Sequence, residues 1–311
     1  MDSVRIFSLA LLAAGGSALA AILVSAKPGC SWARGPVLAP ASAVSPGDAG
    51  IGSGEHGFIV LPTRVVFEGN ARTAAVTLVN KGSVSAAYRI GFVQMRMSES
   101  GEIRPITAPK SGEAFADTLV RYAPRQVELR PQESRTIRLQ LRKPADLPPG
   151  EFRSHLLVQE VPRTVVEEGP LAVAGNDPVG VQVHMTSLFG IAIPVIVREG
   201  TTSALVTFPD VRVSRGRNIG EPATAIVEMR RDGSRSVYGD LTLFYLADNG
   251  RRKVVGIARG IGIYTPNHRR LVHVPVMLPQ NSNLVTGRLV ARFTETTRRA
   301  PVLAEASFIL P

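Results

Sequence analysis

The chain is predicted to be all-β, and three observations carry that expectation. Apolar and polar residues alternate with period two through most of the sequence after residue 57, as in half-buried strands. Turn signals recur at short spacing, at Lys81-Gly82-Ser83, Ser100-Gly101-Glu102, Leu147-Pro148-Pro149-Gly150 and Asp248-Asn249-Gly250. No stretch of residues 58–198 sustains a 3.6-residue apolar period, so helices should be few. Short strands at this spacing argue for antiparallel sandwiches, and 311 residues suit two of them behind a leader.

The leader comes first. Arg5 precedes an apolar stretch from Ile6 to Val24, and Val24-Ser25-Ala26 supplies the small residues of a cleavage site. Residues 1–26 therefore read as a secretory signal, although the apolar stretch is nearly long enough to remain as an anchor. Residues 27–57, rich in Pro, Gly, Ala and Ser, read as a linker with little to bury. The single cysteine, Cys30, falls there, so no intramolecular disulfide can form.

Strands are expected at Phe58–Leu61, Arg64–Phe67, Ala74–Val79 and Ala87–Met97, the last as one long alternating element. Others are expected at Leu119–Tyr122, Thr136–Arg142 and Phe152–Val161. Seven more follow a boundary at Arg198-Glu199-Gly200: Ala204–Phe208, Ala223–Arg230, Gly239–Ala247, Lys253–Ala258, Arg270–Leu278, Gly287–Thr294 and Ala304–Leu310. The domains expected from this pattern are 58–198 and 199–311.

One strand is too long for its sandwich. From Val179 to Val197 apolar side chains hold the odd positions almost without a break. Strands usually run about five or six residues. The early part of this one should project beyond its own core, which is expected to use it from Phe189 onward.

The segment from Asp117 to Val161 is specific enough to suggest a family. It places Ala123-Pro124-Arg125, then the strand through Ile137-Arg138-Leu139, then Lys143-Pro144, and then Leu147-Pro148-Pro149-Gly150-Glu151-Phe152-Arg153-Ser154-His155-Leu156, in that order. This order resembles the first domain of PapD-like periplasmic pilus (fimbrial) chaperones. The resemblance implies two immunoglobulin-like β-sandwiches in an L arrangement, a periplasmic location, and binding rather than chemistry. It implies pilus subunits and an outer-membrane usher as partners, with self-association through the edge strand when no subunit is bound.

The resemblance also implies site residues. Arg64, in Leu61-Pro62-Thr63-Arg64-Val65-Val66-Phe67-Glu68-Gly69, matches the arginine that anchors the subunit's C-terminal carboxylate. A guanidinium forks bidentately onto a carboxylate, and desolvation strengthens the pair. The plain alternative is an exposed arginine, or one paired with Glu68 or Asp117. Val179, Val181, Val183 and Met185 would form the face lent to the subunit by β-augmentation. The family's second anchor, a lysine, has no counterpart; the best match is Gly190, leaving Arg64 alone or helped by His184 or Arg198. Arg153 reads as a bridge between the domains, and His155 as a satisfied sandwich residue.

The chain carries a formal charge of +11, which can signal nucleic acid, but aromatics are only 5%. The pairs Arg230-Arg231, Arg251-Arg252, Arg269-Arg270 and Arg298-Arg299 fall at expected turns or strand ends and read as solvated turns, so no nucleic-acid partner is inferred. The five histidines have no metal-ligand spacing and no phosphate-cradling loop is present, so no metal, cofactor or catalytic site is expected. A surface immunoglobulin-like adhesion protein and a divergent enzyme on the same fold remain the other classes to weigh.

Overall fold

The computed structural model describes residues 57–162, 189–214, 223–247, 250–277, 288–297 and 299–309. The signal peptide 1–26, all of the linker but its last residue, and Val179, Val181, Val183, His184 and Met185 lie outside the described residues. The described residues contain strands and no helix.

The first eleven strands are β1 (Phe58–Leu61), β2 (Val65–Phe67), β3 (Thr73–Asn80), β4 (Ala86–Val93), β5 (Met95–Met97), β6 (Ile103–Pro105), β7 (Val120–Ala123), β8 (Gln126–Leu129), β9 (Ser134–Leu141), β10 (Gly150–Val161) and β11 (Gly190–Glu199). The remaining seven are β12 (Ala204–Ser214), β13 (Ala223–Gly233), β14 (Val237–Leu246), β15 (Arg252–Ile263), β16 (Arg269–Val276), β17 (Arg288–Glu295) and β18 (Val302–Ile309).

Two sandwiches result. In the first, the sheet β1-β3-β9-β7 packs on the sheet β2-β11-β10-β4-β8. In the second, β12-β13-β16 packs on β15-β14-β17-β18. The cores follow the period-two pattern. Ile137, Leu139 and Leu141 of β9 turn inward beside Val76 and Leu78 of the neighbouring β3, while Arg138 and Gln140 stay in solvent. Fully burying one such aliphatic side chain contributes about 1.5–3 kcal/mol.

Two expectations about strands need correction. The long element from Ala87 to Met97 is broken at Gln94, where the Gln94 side chain accepts from Ser154 Oγ at 2.9 Å and its carbonyl accepts from Ile106 N at 3.0 Å. These bonds release β5 to pair with β6 in a separate two-stranded ribbon. In the second sandwich, β12 and β15 run further than the alternation suggested. Register shifts between Thr207 and Asp210, and between Gly239 and Leu241, disturb the period without ending the ladders.

The strand β11 decides what the first sandwich can offer a partner. Its odd residues Ile193, Val195 and Val197 are buried in the core, and Ile191 packs against it. Phe189 is 36% exposed, so the core begins to use this strand at Ile191 rather than at Phe189. β11 pairs with β10 from Gly190 to Glu199, but β2 covers its other edge, in parallel, only from Val195 to Val197. Along Gly190–Pro194 that edge has no partner strand among the described residues. The cover stops at Pro194, which has no N–H to give to a ladder. Gly200, at φ +66, makes the left-handed turn out of β11, and a Cβ there would sit 3.1 Å from Pro149.

Candidate functional site

The outer face of the β2-β11-β10 sheet carries the unusual chemistry. Val65 enters the core, so Arg64 and Val66 on either side of it point to the opposite face. The same face receives Ile196 from β11, and Arg153 stands opposite Ile196 on β10. Val66, Ile196 and Met97 form a small apolar cluster with Tyr264, which arrives from the second sandwich at the end of β15.

Tyr264 organises the site. The Arg64 guanidinium lies 4.9 Å from the Tyr238 ring centre and 5.7 Å from that of Tyr264. Arg153 packs on the same Tyr264 ring at 4.5 Å. Burial pushes the pKa of both arginines down from the ordinary value, opposed in each case first by Tyr264. Arg64 Nη1 is buried with no hydrogen-bond acceptor among the described residues, and so are Nε and Nη1 of Arg153. Arg64 is thus neither a freely exposed strand residue nor paired with Glu68 or Asp117. The Glu68 carboxylate accepts from Arg198, and the Asp117 carboxylate accepts from Ser154 Oγ at 3.5 Å.

A second group ties the sandwiches together. Glu151 Oε2 accepts from Arg198 Nε at 3.0 Å and from Ser236 N at 3.0 Å, and Glu151 Oε1 accepts from Ser236 Oγ. Arg198 also donates to Glu68 at 3.1 Å and to the Ser236 carbonyl at 3.2 Å. Arg198 is therefore fully engaged, which removes it as a free second anchor. Arg153 bridges as expected, donating from Nη2 to the Thr265 carbonyl at 3.4 Å. Asn267 donates to the Met97 carbonyl at 2.7 Å, and Leu271 N donates to the Glu99 carbonyl at 2.8 Å.

Two further expectations are overturned here. Arg231 is not at a solvated turn but is 1% exposed. Its guanidinium donates to the carbonyls of Asn267 at 3.0 Å, Gly233 at 2.7 Å and Arg235 at 3.1 Å, holding the loops around β13. His155 is buried, but neither ring nitrogen has a hydrogen-bond partner among the described residues. Burial, and then the neighbouring Arg153 charge, push its pKa from 6.5 down to about 3.

That shift has a definite sign. The folded chain holds His155 neutral, whereas the unfolded chain protonates it near 6.5. The contribution is complete above that pH and is lost as pH falls from about 6.5 towards 3. His155→Leu should lose less stability on acidification than the parent, by about 3 kcal/mol at pH 4. Urea titrations of both proteins across that range measure the difference, and parallel curves would show that His155 titrates normally.

Sequence reasoning singled out Arg64, Arg153 and Arg198 but not Tyr238, Tyr264 or the pairing of Glu151 with Arg198. Alternation says which residues leave a core, not which outer face another sandwich covers.

No family model matches the chain, and no curated protein sequence matches it. Among solved structures, the YadV chaperone is similar at 14% identity, covering 81% of this chain and 99% of its own, with a TM-score of 0.40. The class 5 fimbriae chaperone CfaA is similar at 13%, covering 80% and 98%, with a TM-score of 0.42. The CupB2 chaperone of Pseudomonas aeruginosa is similar at 13%, covering 81% and 100%, with a TM-score of 0.40. Scores this low do not transfer a function.

Proposed function

We propose that this chain is a periplasmic pilus-assembly chaperone that binds subunits lacking their own final strand and delivers them to an outer-membrane usher. The work is β-augmentation. The subunit's open groove receives the segment that precedes β11, with Val179, Val181, Val183 and Met185 filling it and main-chain bonds forming along the edge. The edge along Gly190–Pro194 supports this reading because its main chain has no partner strand among the described residues, and the exposed Phe189 because it extends the odd-numbered apolar face beyond the core. When no subunit is bound, the same edge is suited to pair with a second copy.

The observation that carries the proposal is Arg64. It immediately precedes β2, at the point where the open edge of β11 ends, with a buried N–H that nothing among the described residues accepts. A carboxylate arriving at the end of an added strand fills that need. Arg64→Gln should reduce subunit capture by about 10- to 100-fold, as for loss of a charge-assisted bond of about 1.5–3 kcal/mol. Its melting temperature should match or exceed the parent's, because a desolvated cation without a counter-ion opposes folding. Capture of a purified pilus subunit by both proteins provides the test. Equal capture would remove Arg64 from the site.

A further inference from the structure

We propose that Arg153 of β10 is the second cationic anchor, so that the anion taken by Arg64 is held by two guanidiniums on neighbouring parts of one sheet face. This rests on the reading of Arg64 as a carboxylate anchor and adds the partner that the sequence left blank at Gly190.

Three observations support it. The first is placement. Arg64 and Arg153 project from the outer face on either side of β11, and both pack on the one Tyr264 ring. The second is hydrogen-bond accounting. Arg153 keeps Nε and Nη1 buried without an acceptor among the described residues, beside the orphaned Nη1 of Arg64. Buried N–H groups are nearly always satisfied, so three on two adjacent guanidiniums indicate a missing acceptor.

The third is charge. The two carboxylates that act on Arg153 are already committed, Glu151 to Arg198 and Glu113 to Arg96, the latter at 2.5 and 2.8 Å. The Arg64 charge adds to the burden on Arg153. Two desolvated like charges without a counter-ion are costly, and an external anion relieves both at once. A carboxylate suits the geometry of guanidinium recognition because its two oxygens accept from planar N–H forks. The second cation therefore lies on the strand next to β11 rather than on β11 itself.

The test uses two synthetic peptides of one extended, alternating sequence, one ending in a free carboxylate and the other in an amide. Their affinities are measured for the parent, Arg64→Gln and Arg153→Gln. The ratio of acid to amide binding isolates the anion from any general weakening. The parent should prefer the acid by more than about tenfold, and each variant should reduce that preference to within about threefold. Arg153→Gln also loses the bond to the Thr265 carbonyl, so a second measurement leaves the protein unaltered. The Arg153 Nε–H resonance of the parent should shift on adding the acid peptide and stay in place with the amide. If Arg153→Gln keeps the full preference while Arg64→Gln loses it, or the resonance does not move, Arg64 acts alone and this proposal is wrong. If the parent shows no preference for the acid, the carboxylate anchor itself fails.

Discussion

Glu151→Ala is expected to destabilise the folded chain by about 3–5 kcal/mol, the usual cost of removing one partner from a buried ion pair. The Glu151 carboxylate is fully buried and accepts from Arg198, the Ser236 amide and the Ser236 hydroxyl. Its loss leaves the Arg198 guanidinium with the Ser236 carbonyl and, as its one carboxylate among the described residues, Glu68, a largely exposed partner that contributes little. It also cuts a connection that runs from β10 and β11 to the residues just before β14. Removing both charges together in Glu151→Ala/Arg198→Ala should cost less than the two single changes added, because neither charge is then left alone. Urea denaturation of the four proteins gives the coupling directly. Additive costs would mean that the pair does not act as a unit.

Val183→Asp is expected to abolish subunit binding while leaving the free chain close to its normal melting temperature. An apolar side chain buried in a partner groove contributes about 1.5–3 kcal/mol, and placing a lone carboxylate there costs several kcal/mol more. The first sandwich fills its core from β11 only from Ile191 onward, and Phe189 is already 36% exposed. The proposed donor role requires that Val183, six places before Phe189, be unneeded by that core. Capture assays and thermal melts of parent and variant check both halves of the expectation. If Val183→Asp unfolds the isolated protein, the residue belongs to the core and the donor assignment is wrong.

The cores were legible in the sequence because a sheet buried on one face writes period two into the chain. Ile137, Leu139 and Leu141, or Ile193, Val195 and Val197, announce their direction without help. The same rule failed wherever a side chain answered to something distant in sequence. Arg231 looked like half of a solvated pair, yet three carbonyls from two loops enclose it. Gln94 sat inside an unbroken alternation, and a hydroxyl on β10 ended its strand. Arg64 and Arg153 could be picked out by resemblance, but their common contact, Tyr264, lies in the other sandwich and in no pattern they share. Glu151 and Arg198 stand far apart in the chain and meet only because β10 and β11 are antiparallel neighbours in that register.

Amide hydrogen exchange along β11, in the free chain and in its complex with a pilus subunit, tests strand addition most directly. The β10 ladder takes the bonds of the odd residues of β11, so the backbone N–H groups of Gly190 and Ala192 face the edge that β2 leaves open. Binding by β-augmentation should slow exchange there well beyond any change in β12–β18, since the added strand pairs with that edge alone. A stable complex in which those amides exchange as in the free chain would contradict strand addition at β11.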